Sequence, residues 1–277
     1  MHKEDFENAI APEYSYVFNF EKSYSYEDTQ KWLWNNLAFC ISCGIFYFIA
    51  IVVGISYMSH KPKYDLKRPL ALWYGLMALL SIIGFSRTAP ELFFALGQRS
   101  LYHSVCLPSN YFQNPVSGFW SWALVLLKFV QLCDTIFVVL QKQKVTFVHI
   151  YHHLSVIFYF CFTYMETIAA MRWFTVMEYF INFCMYSYYA LKSMEFRVPL
   201  CFIITFHVIQ MIQIIISYII TVMAYNQRDI YKLDCYITYQ SSVIGVIYYI
   251  ITFYYYAKHF YLTYISKKQQ DKGRKIN

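Results

Sequence analysis

Long apolar runs broken by short polar stretches recur along nearly the whole chain. A helix that crosses a bilayer needs about 20 mostly apolar residues. That test picks out seven stretches: 35–58, 69–86, 118–140, 145–163, 170–191, 198–223 and 236–265. The pattern predicts an all-α membrane protein with seven transmembrane helices. Residues 1–34 form an N-terminal tail, 35–265 the helical domain and 266–277 a basic C-terminal tail. The polar stretches also orient the chain. Residues 59–68, 141–144, 192–197 and 266–277 together hold 13 Lys and Arg against 3 Asp and Glu, whereas the alternate loops carry more acidic than basic residues. Basic loops stay on the cytosolic side. The N-terminus is therefore expected in a lumen and the C-terminus in the cytosol, which an odd number of spans satisfies.

Composition agrees with this pattern: 58% of residues are hydrophobic and only 14% charged, where globular proteins carry roughly 25% charge. The net charge of +7 sits mainly in cytosolic loops and the tail, which argues for membrane anchoring and against a nucleic-acid partner. The first 34 residues hold three Lys against seven Asp and Glu and lack the basic start of a cleaved signal peptide, so the first span is expected to act as the signal. Of eight cysteines, only Cys106 and Cys235 fall in loops assigned to the oxidising lumen, which predicts a disulfide between them.

Several spans carry groups that a bilayer penalises by roughly 2.5–3.5 kcal/mol each, and such groups mark function. At 100° per residue, Lys128, Gln131, Asp134 and Thr135 fall on one side of the third span. The bland reading of that set is that Lys128 and Asp134 neutralise each other or neighbouring helices. The fourth span opens with His149, His152 and His153, whose spacing places all three imidazoles on one face. The fifth adds Glu178, Asn182, Met185, Tyr186 and Tyr189, and the sixth a polar stripe of His207, Gln210 and Gln213. One buried histidine is usually a satisfied core residue; three on one intramembrane face point to chemistry.

These motifs resemble the membrane elongases of very-long-chain fatty acids, and the match runs over nearly the whole chain. The family's Lys-x-x-Glu-x-x-Asp-Thr motif stands as Lys128 to Thr135, the basic turn as Lys142-Gln143-Lys144, the histidine box as His149-x-x-His152-His153 and the Met-Tyr-x-Tyr-Tyr motif as Met185 to Tyr189. Ser187, Ala190 and Leu191 look most like the branch acting on saturated and monounsaturated chains. Three positions depart from the family: Gln131 stands for Glu, Asn182 for His and His207 for Gln.

The resemblance implies an acyltransferase of the endoplasmic reticulum membrane, with acyl-CoA and malonyl-CoA as substrates and no bound cofactor or metal. Its implied partners are the ketoacyl reductase, dehydratase and enoyl reductase of the elongation cycle, and a second copy in a homodimer. By carry-over His152 is the nucleophile, since a neutral imidazole can take an acyl group from a thioester. His149 and His153 orient it or move protons, and Asp134 belongs to the same motif set. Asn182, Lys128 or Gln131 supply donors for the enolate left by decarboxylation. Lys142, Lys144, Lys192 and Lys258 are candidates for the CoA phosphates; Thr135, Tyr186, Tyr189, His207 and Gln210 complete the expected substrate contacts. The rival readings are a di-iron desaturase or hydroxylase, a seven-span receptor or transporter, and a catalytically altered elongase relative.

Overall fold

The computed structural model describes residues 12–98 and 100–266. The described residues are helical with no strand. The elements are α1 (Asn19–Lys22), α2 (Tyr26–Asn35), α3 (Leu37–Ser59), α4 (Lys67–Gln98), α5 (Leu101–Cys106), α6 (Pro115–Val130), α7 (Cys133–Leu140), α8 (Phe147–Met165), α9 (Met171–Ser193), α10 (Leu200–Asp229) and α11 (Tyr239–Phe260), which ends in a π-helical turn, Tyr261–Ser266.

Among the described residues, four segments are long and apolar enough to cross a membrane by themselves: Leu37–Ser59, Lys67–Gly97, Pro115–Leu140 and Leu200–Asp229. The chain is a multi-pass membrane protein. The helices that fall short of that test, α8, α9 and α11, carry the histidines, Glu178 and Asn182, and a dense set of tyrosines. Their polarity has a common destination. Contacts run from α6 to α4, α4 to α9, α9 to α10, α10 to α11, α11 to α8 and α8 back to α6, closing a ring, while α3 packs on α7. Inside that ring the polar faces meet one another instead of lipid, whereas α3 presents Phe46, Val53 and Ile45 outward.

Local signals set the boundaries. Pro115 at the first helical position and Asn114, whose Oδ1 accepts from Val116 N (2.9 Å) and Ser117 N (3.2 Å), start α6. Two helices outrun their apolar windows. The stretch expected to end at 86 continues to Gln98 because its polar residues are paired: Arg87 with Glu21, and Glu91 with the fully buried Arg172 at 3.3 Å. α10 likewise continues to Asp229. The stretch 118–140 is broken at Gln131–Leu132, where short bonds such as Asp134 N to Gln131 O (3.0 Å) replace the regular ladder. Close packing of α4 on α9 depends on Gly84, where a Cβ would fall 2.3 Å from the Tyr179 ring.

Residues 12–35 are docked on the bundle. Tyr24 and Thr29 both bond the Tyr164 hydroxyl at 2.7 Å, and Gln30 Nε2 donates to Met165 O. On the same side a disulfide joins Cys106 to Cys235 across 129 residues of sequence, tying α5 to the segment before α11. The basic residues Lys267, Lys268, Lys272, Arg274 and Lys275 lie outside the described residues.

Glu21 is the strongest clasp in this region. Its buried carboxylate takes a bidentate pair from Arg87 (2.9 and 2.6 Å) and a bond from Trp120 Nε1 (2.7 Å). Burial alone would raise its pKa, but the bonds from Arg87, Trp120 and the Phe18 amide outweigh burial and hold it below the usual 4.5. A carboxyl depressed in the folded state contributes stability above its unfolded pKa and loses it as pH falls through the folded one. Acid titration of thermal stability should therefore show a steeper loss below about pH 4.5 for the native protein than for Glu21→Gln. Parallel curves would remove Glu21 from the pH response.

Candidate functional site

The ring of helices encloses a cavity of about 590 Å³. Thr146 caps α8, its hydroxyl accepting from His149 N at 3.3 Å, so the helix starts just ahead of the histidines and sends all three into the cavity wall. The rings of His149 and His153 meet edge to face at 4.6 Å, and those of His152 and His153 at 5.8 Å. Each outer histidine has its own support. His149 Nε2 lies 2.8 Å from Thr135 Oγ1, which in turn bonds the Tyr47 hydroxyl at 2.8 Å. His152 Nδ1 lies 3.3 Å from the Tyr256 hydroxyl, which accepts from Gln210 Nε2 at 3.1 Å.

Beside the histidines lies a buried ion pair. Lys128, 1% exposed, is paired with Glu178 and donates to Gln131 Oε1 at 3.2 Å, and Gln213 Nε2 donates to the second oxygen of Glu178 at 3.2 Å. Lys128 and Asp134 therefore do not neutralise one another; Lys128 is neutralised by a neighbouring helix, which is the other branch of the bland sequence reading. Asp134 is held by Trp73 Nε1 and the Tyr186 hydroxyl, both at 2.6 Å. Two polar bundles thus stand side by side, one charge-balanced around Glu178 and one a carboxylate fixed by two neutral donors. Glu178 lines the same cavity as His152.

The sixth-span stripe of His207, Gln210 and Gln213 lines the same cavity, as do Asn182, Gln131, Tyr186 and Tyr189. At the end where α4 begins and α9 ends, Lys67, Lys144 and Lys192 ring the mouth, with Lys67 paired to Glu195. Two of the lysines proposed for the phosphates do not line this cavity. Lys142 turns away, donating to Ser59 O at 3.3 Å, and Lys258 lies over the Tyr254 ring at 5.8 Å. Lys128 and Thr135 stand behind the wall, acting on it through Gln131 and His149.

Sequence reasoning gave no role to Glu178, Trp73 or Tyr256. Glu178 was detectable as a buried carboxylate one turn before Asn182. Trp73 and Tyr256 carried no such signal, because nothing separates them from the other aromatic residues until the helices are packed.

The family model described as "ELO: GNS1/SUR4 family" matches residues 32–272. The chain belongs to the ELO family. Its relatives include proteins named very long chain fatty acid elongase 6. The one from Drosophila melanogaster is 39% identical over 260 residues, covering 93% of this chain and 82% of that protein. The one from Gallus gallus is 33% identical over 260 residues, 94% and 96% of the two chains, and that from Homo sapiens 31% over 255 residues, 91% and 94%. This ELO protein is a membrane-embedded fatty acid elongase, and the histidine-lined cavity is the candidate place for its reaction.

Proposed function

We propose that this elongase condenses a long-chain fatty acyl-CoA with malonyl-CoA, releasing carbon dioxide and extending the chain by two carbons through an acyl-imidazole on His152. The observation that carries the reading is the environment of His152: a cavity-lining imidazole whose Nδ1 meets Tyr256, with Glu178 of the charge-balanced Lys128–Glu178 pair lining the same cavity. When Nδ1 carries the proton and donates to the Tyr256 oxygen, the Nε2 lone pair is free to attack the thioester carbonyl. Glu178 then offsets the positive charge that develops on the imidazole.

The reading includes a seven-span topology in the endoplasmic reticulum membrane, N-terminus lumenal and C-terminus cytosolic. It puts the mouth with Lys67, Lys144 and Lys192 on the cytosolic side, where CoA phosphates are delivered, and supports a preference for saturated and monounsaturated chains. The 3-ketoacyl product requires a ketoacyl reductase, a dehydratase and an enoyl reductase, which are the expected partners. Catalysis proceeds without a resident cofactor.

Incubating the purified protein with acyl-CoA alone, then mapping the digest by mass spectrometry, tests the first half-reaction. The expected result is an acyl group on the peptide containing His152. An acyl group on Cys133 or Cys184 instead would replace the imidazole route with thiol chemistry.

A further inference from the structure

Many donors in the cavity wall have a partner inside the protein. Lys128 is committed to Glu178 and to Gln131 Oε1, Trp73 and Tyr186 to Asp134, Gln210 to Tyr256, and Gln213 to Glu178. Two buried side-chain nitrogens on the wall have none: Gln131 Nε2 and Asn182 Nδ2, on residues 4% and 3% exposed. A buried donor without a partner costs about 1–3 kcal/mol, so two of them on residues that line one cavity need a reason.

Their placement supplies it. The Lys128 ammonium can only donate, so Gln131 must turn Oε1 toward it and aim Nε2 the other way. Asn182 lies one turn beyond Glu178 on α9, on the same face. Glu178 holds Lys128, and Lys128 holds Gln131. The two amides therefore belong to cavity-lining residues that are linked through one ion pair, and that pair leaves no net charge of its own.

We propose that Gln131 Nε2 and Asn182 Nδ2 form the oxyanion site of the condensation, holding the thioester oxygen of malonyl-CoA as it becomes an enolate. This rests on the two-substrate reading above. In that step the bond between C2 of the malonyl group and its carboxylate breaks, and carbon dioxide leaves. The electron pair passes into a C1–C2 double bond, with the negative charge on the thioester oxygen. C2 of the enolate then attacks the acyl carbonyl. A carbon–carbon bond forms, and His152 Nε2 departs with the electrons of its bond to the acyl group.

Donors pay off catalytically only where charge develops. Gripping the malonyl carboxylate would stabilise the ground state and oppose its loss, whereas gripping the thioester oxygen helps only once the enolate forms. Amide N–H groups suit this oxygen because they donate a hydrogen bond without surrendering the proton, so the carbanion is not quenched before it reacts. Lys128 acts as the positioning residue that fixes the Gln131 amide.

The test uses the full-length enzyme in liposomes with the near-isosteric Gln131→Met and Asn182→Leu variants, and with Asn182→His to restore a ring N–H donor. Each amide deletion should lower kcat for condensation by about 10²–10³-fold. KM for malonyl-CoA should change little, and release of CoA from acyl-CoA alone should persist. Asn182→His should recover part of the rate. The thermal midpoint of Asn182→Leu should be equal to or above that of the native protein, because an unpartnered buried donor has been removed, and a merely structural amide would give a lower one; Gln131→Met also strips Lys128 of an acceptor and is therefore read by its kinetics. The proposal is overturned by unchanged condensation, by a rise in KM alone, or by CoA release falling in step with condensation. If the native enzyme releases no CoA from acyl-CoA alone, the acyl-imidazole reading fails, while the kcat loss with malonyl-CoA still reports on the oxyanion site.

Discussion

His152→Ala is expected to lower malonyl-CoA-dependent chain extension by on the order of 10³–10⁴-fold while leaving the protein folded. The size follows from what the residue is asked to do. A nucleophile that divides the condensation into two steps cannot be replaced by a methyl group, and neither neighbouring imidazole has its support. His149 is engaged by Thr135, and His153 packs between the other two rings. The Tyr256 hydroxyl should matter less. Tyr256→Phe removes the partner of Nδ1 at 3.3 Å and is expected to cost about tenfold in kcat, the worth of one modest hydrogen bond. The measurement is initial rate in proteoliposomes at saturating substrates. A His152→Ala enzyme within tenfold of the native rate would remove the imidazole from covalent catalysis.

The largest stability effect is expected at Lys128. Lys128→Met leaves Glu178 with the hydrogen bond from Gln213 but no counter-charge beside it, and breaking a buried pair from one side costs about 3–5 kcal/mol. Adding Glu178→Gln to that variant should restore much of the loss, since two neutral side chains no longer strand a charge. The pair thus separates two roles. The double variant should regain its thermal midpoint in detergent without regaining activity, because Gln131 has lost the ammonium that orients it. A Lys128→Met protein as stable as the native one would mean that Glu178 finds its compensation elsewhere.

Much of the site was legible in advance, for a specific reason. Placing ionisable groups in apolar helices is costly, so Lys128, Asp134 and the three histidines stood out against their background. Helical periodicity then told which of them share a face, and on the third span that arithmetic survived even the break at Gln131–Leu132, because Lys128, Gln131, Asp134 and Thr135 all remain buried. Charge in the loops was a weaker guide. It drew Lys142 and Lys258 into the expected phosphate contacts with Lys144 and Lys192, yet only the last two reach the mouth, joined by Lys67. A flexible four-carbon side chain near a helix end can anchor, pair or line a cavity with the same local sequence.

The sequence by itself determined the helical, membrane-embedded character of this chain, the resemblance to elongases, and the histidines around which its chemistry is expected to turn. All of these follow from the cost of polar groups in a bilayer and from spacing within single helices. Partner choice was decided only by tertiary structure. The ammonium of Lys128 goes to Glu178, 50 residues away, and Asp134 goes to Trp73 and Tyr186, since hydrogen bonds between helices depend on how the ring closes. The same closure leaves two amides, Gln131 and Asn182, without partners, and an absence of that kind is written in no single stretch of sequence.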